Sequence, residues 1–257
     1  MMYGKLSGAA LAALVLSGCQ SPEAERVTSP SLSYQPLEKR FVEPGCQREH
    51  CSEVTVSSLV FPDDPDLSDE LKRRLLALAM DMTDAPADPP QEWDGYAEAF
   101  FARAGEDSEM LPQFMASEAQ MEASVYAQHD GLLVLELTSY VYHAGQAHGL
   151  PSTAFMVIDE RQSRAVSLDD MLLDGQDGAF QEALLQAHRR WMAEMGYDDQ
   201  YVINWPLSES RNVAPLEDSW VVKFNVYEIA PYAVGQPELF IPFEDLEGVA
   251  KPRYLGQ

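Results

Sequence analysis

Basic residues are scarce in this 257-residue chain: 17 Lys and Arg stand against 42 Asp and Glu, a formal net charge of -25. A surface of that sign repels nucleic-acid phosphates, so nucleic acid is not expected as a partner. It favours basic partners, cations, or solubility alone. Cysteine is nearly absent, at Cys19, Cys46 and Cys51. No Gly-x-Ser-x-Gly elbow, no P-loop and no dinucleotide-binding glycine fingerprint occurs, which removes the usual sequence marks of those chemistries. Beyond the N-terminus there is no second long apolar run.

The apolar run that does occur, residues 9–16, follows a single cation, Lys5. It is too short to span a bilayer and has the length of a signal-peptide core. It ends Leu16-Ser17-Gly18-Cys19, which resembles the lipobox of bacterial lipoproteins. The expectation is a signal peptide over 1–18 and a diacylglycerol on Cys19, which would anchor the chain to a membrane. By analogy with such lipoproteins, Gln20 favours the outer membrane, facing the periplasm. Residues 19–36 are rich in Ser, Pro, Glu and Thr and read as a flexible tether. A single domain is expected over 37–257.

Cys46 and Cys51 enclose Gln-Arg-Glu-His. In an oxidising envelope the pair reads as a small disulfide loop. The competing reading, a metal pair with His50, runs short of thiol ligands. Downstream, residues 53–61 alternate as a first strand. Ser68 is placed to cap a helix over 69–82, with Leu71, Leu75, Leu78 and Met82 inward. A second helix is expected over 93–104 and a proline-broken loop between them. Residues 116–128 alternate, with Ala119, Met121, Ala123, Val125 and Ala127 on one face. Asp130-Gly131 signals a hairpin turn. Strands follow over 132–142 and 153–159, then a polar turn over 159–164 and a Ser167-capped segment. The clearest amphipathic helix covers 179–195, and strands 220–227 and 239–241 end the list. This order reads as α+β, a mainly antiparallel sheet with helices packed on one side.

Residues 132–159 hold the centre: two apolar runs joined by a loop with His143 and His148. Histidine is a common metal ligand and proton shuttle, yet no acidic residue lies in the loop. The plainer reading has His148 hydrogen-bonding the backbone beside Gly149. The second notable run, 227–235, carries Tyr227 and Tyr232, and tyrosines supply rigid contact area.

The two runs together resemble the RsiV-like extracellular domain family. Residues 142–149, Tyr-His-Ala-Gly-Gln-Ala-His-Gly, are similar to its Tyr-Thr-Gly-Gly-Ala-His-Gly signature. Residues 227–235, followed by Glu-Leu-Phe-Ile-Pro at 238–242, are similar to its second signature, with Ser167-Leu168-Asp169-Asp170-Met171 between them. The first glycine of the signature is replaced here. The resemblance covers about 50–248. It implies an α+β domain of unknown function, known in envelope lipoproteins, in the lysozyme-binding part of the anti-sigma factor RsiV, and beside peptidoglycan deacetylase domains. The sequence shows no sigma-binding segment, transmembrane helix or deacetylase domain, so those roles are not expected to transfer.

The functional expectation is a non-enzymatic, lipid-anchored binding module without a cofactor, taking a basic protein such as lysozyme or a peptidoglycan ligand. Its candidate surface is Tyr142, His143, His148, Tyr227 and Tyr232. The alternatives are a metal-assisted hydrolase on envelope glycans using His143 and His148, and a purely structural lipoprotein.

Overall fold

The computed structural model describes residues 32–47, 49–80, 89–108 and 115–256. The expected signal peptide, Cys19, most of the tether, Met82 and part of the proline-broken loop lie outside the described residues.

Two strands open the fold. β1 (Gln35–Val42) and β2 (Glu53–Val60) pair antiparallel. β1 is a finding: residues expected to be tether and its margin form an edge strand. Its Pro36, Lys39 and Arg40 are the residue types that blunt an exposed edge. The loop between these strands is closed by the Cys46–Cys51 disulfide, with Cα atoms 6.0 Å apart. The bridge therefore staples a hairpin, where a turn ahead of the first strand was expected.

α1 (Pro65–Leu78) begins earlier than the predicted 69–82. Asp64, not Ser68, is its cap: Asp64 Oδ1 accepts the Leu67 amide at 3.1 Å, with Pro65 in the first turn. Ser68 instead accepts the Phe61 amide at 2.8 Å, tying the helix start to the end of β2. α2 (Trp93–Ser108) follows, and then β3 (Glu118–His129), which lies parallel to β2. β4 (Leu132–Tyr142), β5 (Leu150–Asp159) and β6 (Arg164–Val166) continue as an antiparallel meander, giving the order β1-β2-β3-β4-β5-β6. The Asp130-Gly131 turn has φ of 50° and 73°, the left-handed pair that a two-residue hairpin of this twist requires.

The rest builds a second layer. α3 (Leu168–Met171) carries a capping box between Ser167 and Asp170. α4 (Asp177–Met195) and α5 (Asp199–Asn204) precede β7 (Val213–Pro215), β8 (Ser219–Lys223) and β9 (Glu238–Pro242), which form a separate antiparallel sheet. The α+β, mainly antiparallel expectation holds, and the smaller sheet adds a layer to it. Strands expected over 220–227 and 153–159 have different limits, and the polar turn at 159–164 resolves into a turn and β6.

Alternation on the large sheet divides the interior in two. Leu133, Leu135, Leu137, Met156 and Ile158 pack under Leu71 and Leu75 of α1 and Trp93 and Phe100 of α2. On the opposite face Leu132, Val134, Phe155 and Val157 pack against Trp220, Val222 and Ile241 of the small sheet and Phe180 of α4. Burial on both faces explains why β4 reads as a near-continuous apolar run. β3 departs from its predicted pattern through a bulge between Val125 and Ala127. Val125 is consequently 39% exposed, while Tyr126 packs on Phe155 with ring centroids 4.9 Å apart.

Two asparagines join the layers. The Thr153 and Phe155 amides of β5 donate to Asn225 Oδ1 at 2.7 Å and Asn212 Oδ1 at 2.6 Å. Asn212 Nδ2 returns bonds to Thr153 O and Lys223 O. Where β6 does not reach, these side chains satisfy backbone groups that a buried strand edge would otherwise leave unpaired.

Candidate functional site

The site is the corner where the 143–149 loop, at the far end of β4, meets the 225–235 segment after β8. The local turn chemistry is specific. The Gln146 amide donates to His143 O at 3.1 Å, and Gly145 takes φ of 89°. A left-handed third residue is what such a turn needs, so Gly145 is required there. Gly149 has a different reason to be glycine. A Cβ at that position would lie 2.4 Å from Cζ of Tyr140, so the loop backbone rests directly on that ring. The Gly149 amide donates to the Tyr140 hydroxyl at 3.3 Å.

His148, Tyr227 and Tyr232 come together. The His148 ring stacks on Tyr232, centroids 4.0 Å apart and planes at 27°. His148 Nδ1 lies 3.0 Å from Gly149 O. A carbonyl only accepts, so Nδ1 donates to it, and the Tyr227 hydroxyl lies 3.4 Å from Nε2. Tyr232 also donates to Gly149 O, at 3.2 Å. The plain reading of His148 as a backbone-bonded loop histidine is thus observed, together with a tyrosine pair that it holds.

Tyr227 is 48% exposed and has φ of 69°. The left-handed region costs an L-residue roughly 1–2 kcal/mol. The turn is closed by Tyr227 N to Ala230 O at 3.1 Å and Glu228 N to Asn225 O at 3.2 Å. Glu228 Oε2 also accepts the Asn225 amide at 2.8 Å. Strain kept by surrounding bonds marks a position worth testing for function.

His143 does not join this group. It is buried, its ring 5.5 Å from that of Phe100 and its Nδ1 4.0 Å from Asp107 of α2. The two histidines therefore serve different neighbours. Among the described residues, no group of three or more His, Cys, Asp or Glu side chains is placed to hold a metal ion. Tyr142 ends β4 opposite Glu118 and takes no part in the stack. A mostly apolar cavity of about 270 Å³ lies beside the corner, lined by Val141, His143, Leu150, Pro151, Val226 and Tyr227 among others.

Sequence reasoning missed Asn225, Tyr140 and Lys223. Lys223 Nζ sits between Glu136 of β4 and Glu238 of β9, at 2.5 and 3.0 Å. Burial alone would lower its pKa, but the hydrogen bonds and charges of the two glutamates outweigh that and raise it. The ammonium thus bridges the sheets as a cation. A lone lysine at a strand end gives no sign of this in sequence.

Fold and corner define an α+β domain of two facing sheets, with an aromatic corner closed by tyrosines from the second layer. The family model described as "Protein of unknown function (DUF3298)" matches residues 169–244. A crystal structure of a DUF3298 family protein from Pseudomonas aeruginosa PAO1 is similar, at 33% identity and a TM-score of 0.75, over 88% of this chain and 98% of that one. The chain belongs to the DUF3298 family. A DUF3298 member from Bacteroides fragilis NCTC 9343 shares the fold at 21% identity and a TM-score of 0.63, over 87% of this chain and 95% of that one. Among curated proteins no match is found.

Proposed function

We propose that this is a lipid-anchored envelope protein of the RsiV-like kind, whose His148–Tyr227–Tyr232 corner binds a basic protein such as lysozyme without catalysing a reaction. One observation carries the reading: a stacked, partly exposed aromatic corner on a chain of net charge -25. Clustered tyrosines are frequent binding hot spots, and an acidic field speeds encounter with a basic partner.

The corner also has a defined place relative to the start of the described chain. The described chain begins beside the start of β4, where the Leu32 amide donates to Glu160 Oε1 at 3.0 Å. The corner lies at the other end of that strand, about 33 Å away at roughly 3.3 Å per residue. The first described residue and the corner therefore lie toward opposite ends of β4. Acylation is tested by labelling cells with a palmitate analogue: the native chain takes up label and Cys19→Ala does not. Label on Cys19→Ala, or none on the native chain, removes the anchor. Binding is tested by titrating lysozyme into the soluble chain 20–257 at low salt. Absence of heat there removes lysozyme as the ligand.

A further inference from the structure

A second surface adjoins the corner on the wet face of the large sheet. Cross-strand register sets out two rows there. Arg40, Thr55, Gln120, Tyr140 and Pro151 lie opposite one another in one, and Glu38, Ser57, Glu122, Thr138 and Thr153 in the next. The small sheet covers the β5 side of this face and leaves the β1–β3 side open, so its margin stands as a wall. In the angle between wall and floor is a cleft of about 230 Å³, lined by Gln120, Glu122, Thr138, Tyr140, Pro151 and Gln236 among others. That is below the ≈ 300 Å³ at which pockets for drug-sized ligands begin, so the cleft suits one long side chain.

Its chemistry is specific. Among the described residues no cation pairs with Glu122, which is exposed. By contrast, Glu53 pairs with Arg40, and Glu136 and Glu238 pair with Lys223. The cleft thus offers an unmatched carboxylate, the amides of Gln120 and Gln236, the Thr138 hydroxyl and an aromatic ring, Tyr140, of the kind that attracts cations.

We propose that this cleft receives a lysine or arginine side chain from an extended basic segment of the partner, with Glu122 as its counter-charge and Tyr140, Gln120 and Gln236 flanking it. This rests on the reading of a basic partner but on none of the stacked corner residues. The segment lies along β3 and β4, with the His148–Tyr232 corner at one end of its path.

The test uses the soluble chain 20–257 and a short acetylated peptide alternating lysine and serine, so it does not depend on whether lysozyme binds. The expected result is saturable shifts of the Gln120, Glu122 and Tyr140 amide resonances. Glu122→Gln weakens affinity about tenfold, the scale of one charge-assisted contact. Glu217→Gln, the same charge change in the exposed turn before β8, leaves it unaltered. Shifts outside the cleft, equal weakening by Glu217→Gln, or equal binding of a norleucine–serine peptide would each overturn the proposal.

Discussion

The backbone of Gly149 rests on the ring of Tyr140 so closely that a Cβ would fall 2.4 Å from Cζ of that ring. One contact thereby sets the height of the whole 143–149 loop and presents His148 to Tyr232. Gly149→Ala forces loop or ring to move, and overpacking of this kind costs about 1–3 kcal/mol. The denaturation midpoint of Gly149→Ala should fall accordingly, and adding Tyr140→Ala should recover part of the loss. A Gly149→Ala chain as stable as the native one would contradict the packing described.

The two inter-layer asparagines make opposite predictions for the same substitution. Asn225 uses its oxygen, accepting from Thr153 N and from Gln236 Nε2 at 3.2 Å. Asn225→Asp keeps both bonds and should be nearly neutral. Asn212 also donates through Nδ2 to two carbonyls. Asn212→Asp sets a carboxylate against those oxygens, and loss of a buried bond of this type costs about 1–3 kcal/mol. Urea denaturation of the two variants at neutral pH decides the matter.

Acid sensitivity follows from Asp170 and Asp159. Bonds from the Ser167 backbone and hydroxyl, then Arg164, bring Asp170 down to about 2 from 3.8. For Asp159 burial pushes upward, but bonds from Gln162, Arg161 and Arg253 outweigh it and lower the pKa. Both groups bind protons more tightly unfolded than folded. Each therefore contributes stability that is fully present above the ordinary carboxylate pKa and is lost as pH falls through its folded value. In a series of urea midpoints, the native chain should lose stability below about pH 4 more steeply than Asp170→Asn. Parallel curves would contradict the capping box.

Tyr227 separates stability from function. Glycine adopts its φ of 69° without the penalty that tyrosine bears. Tyr227→Gly should fold with unchanged or higher stability yet lose affinity for the partner. A marked fall in melting temperature would show that the side chain is there for packing.

Much of this fold was legible because one signal dominates locally. β4 has the predicted limits, since burial on both faces writes an unbroken apolar run. α4 shows its period, and Cys46 and Cys51 could pair only with each other once Cys19 was set aside. β1 was hidden because an edge strand with Pro36, Lys39 and Arg40 lacks the apolar alternation that marks a strand. β7 is three residues long and ends in Pro215, too short for any period to register. The separate sheet and the parallel β2–β3 pairing are long-range choices that local patterns do not encode. At the site, joining His148 with Tyr227 and Tyr232 rested on the paired motifs. The turn of His143 toward Phe100 and Asp107 depends on where α2 docks, which no local pattern in the loop expresses.

The central claim is that the aromatic corner, and not the acidic surface alone, recognises the basic partner. Calorimetric titration of lysozyme into native, Tyr232→Phe and Tyr232→Ala chains tests it directly, because none of these changes alters the charge. Tyr232→Phe keeps the stack on His148 and should bind as the native chain does. Tyr232→Ala should bind at least about 30-fold more weakly, the ≥ 2 kcal/mol of a hot-spot residue. Equal affinity for the native and Tyr232→Ala chains would contradict the account.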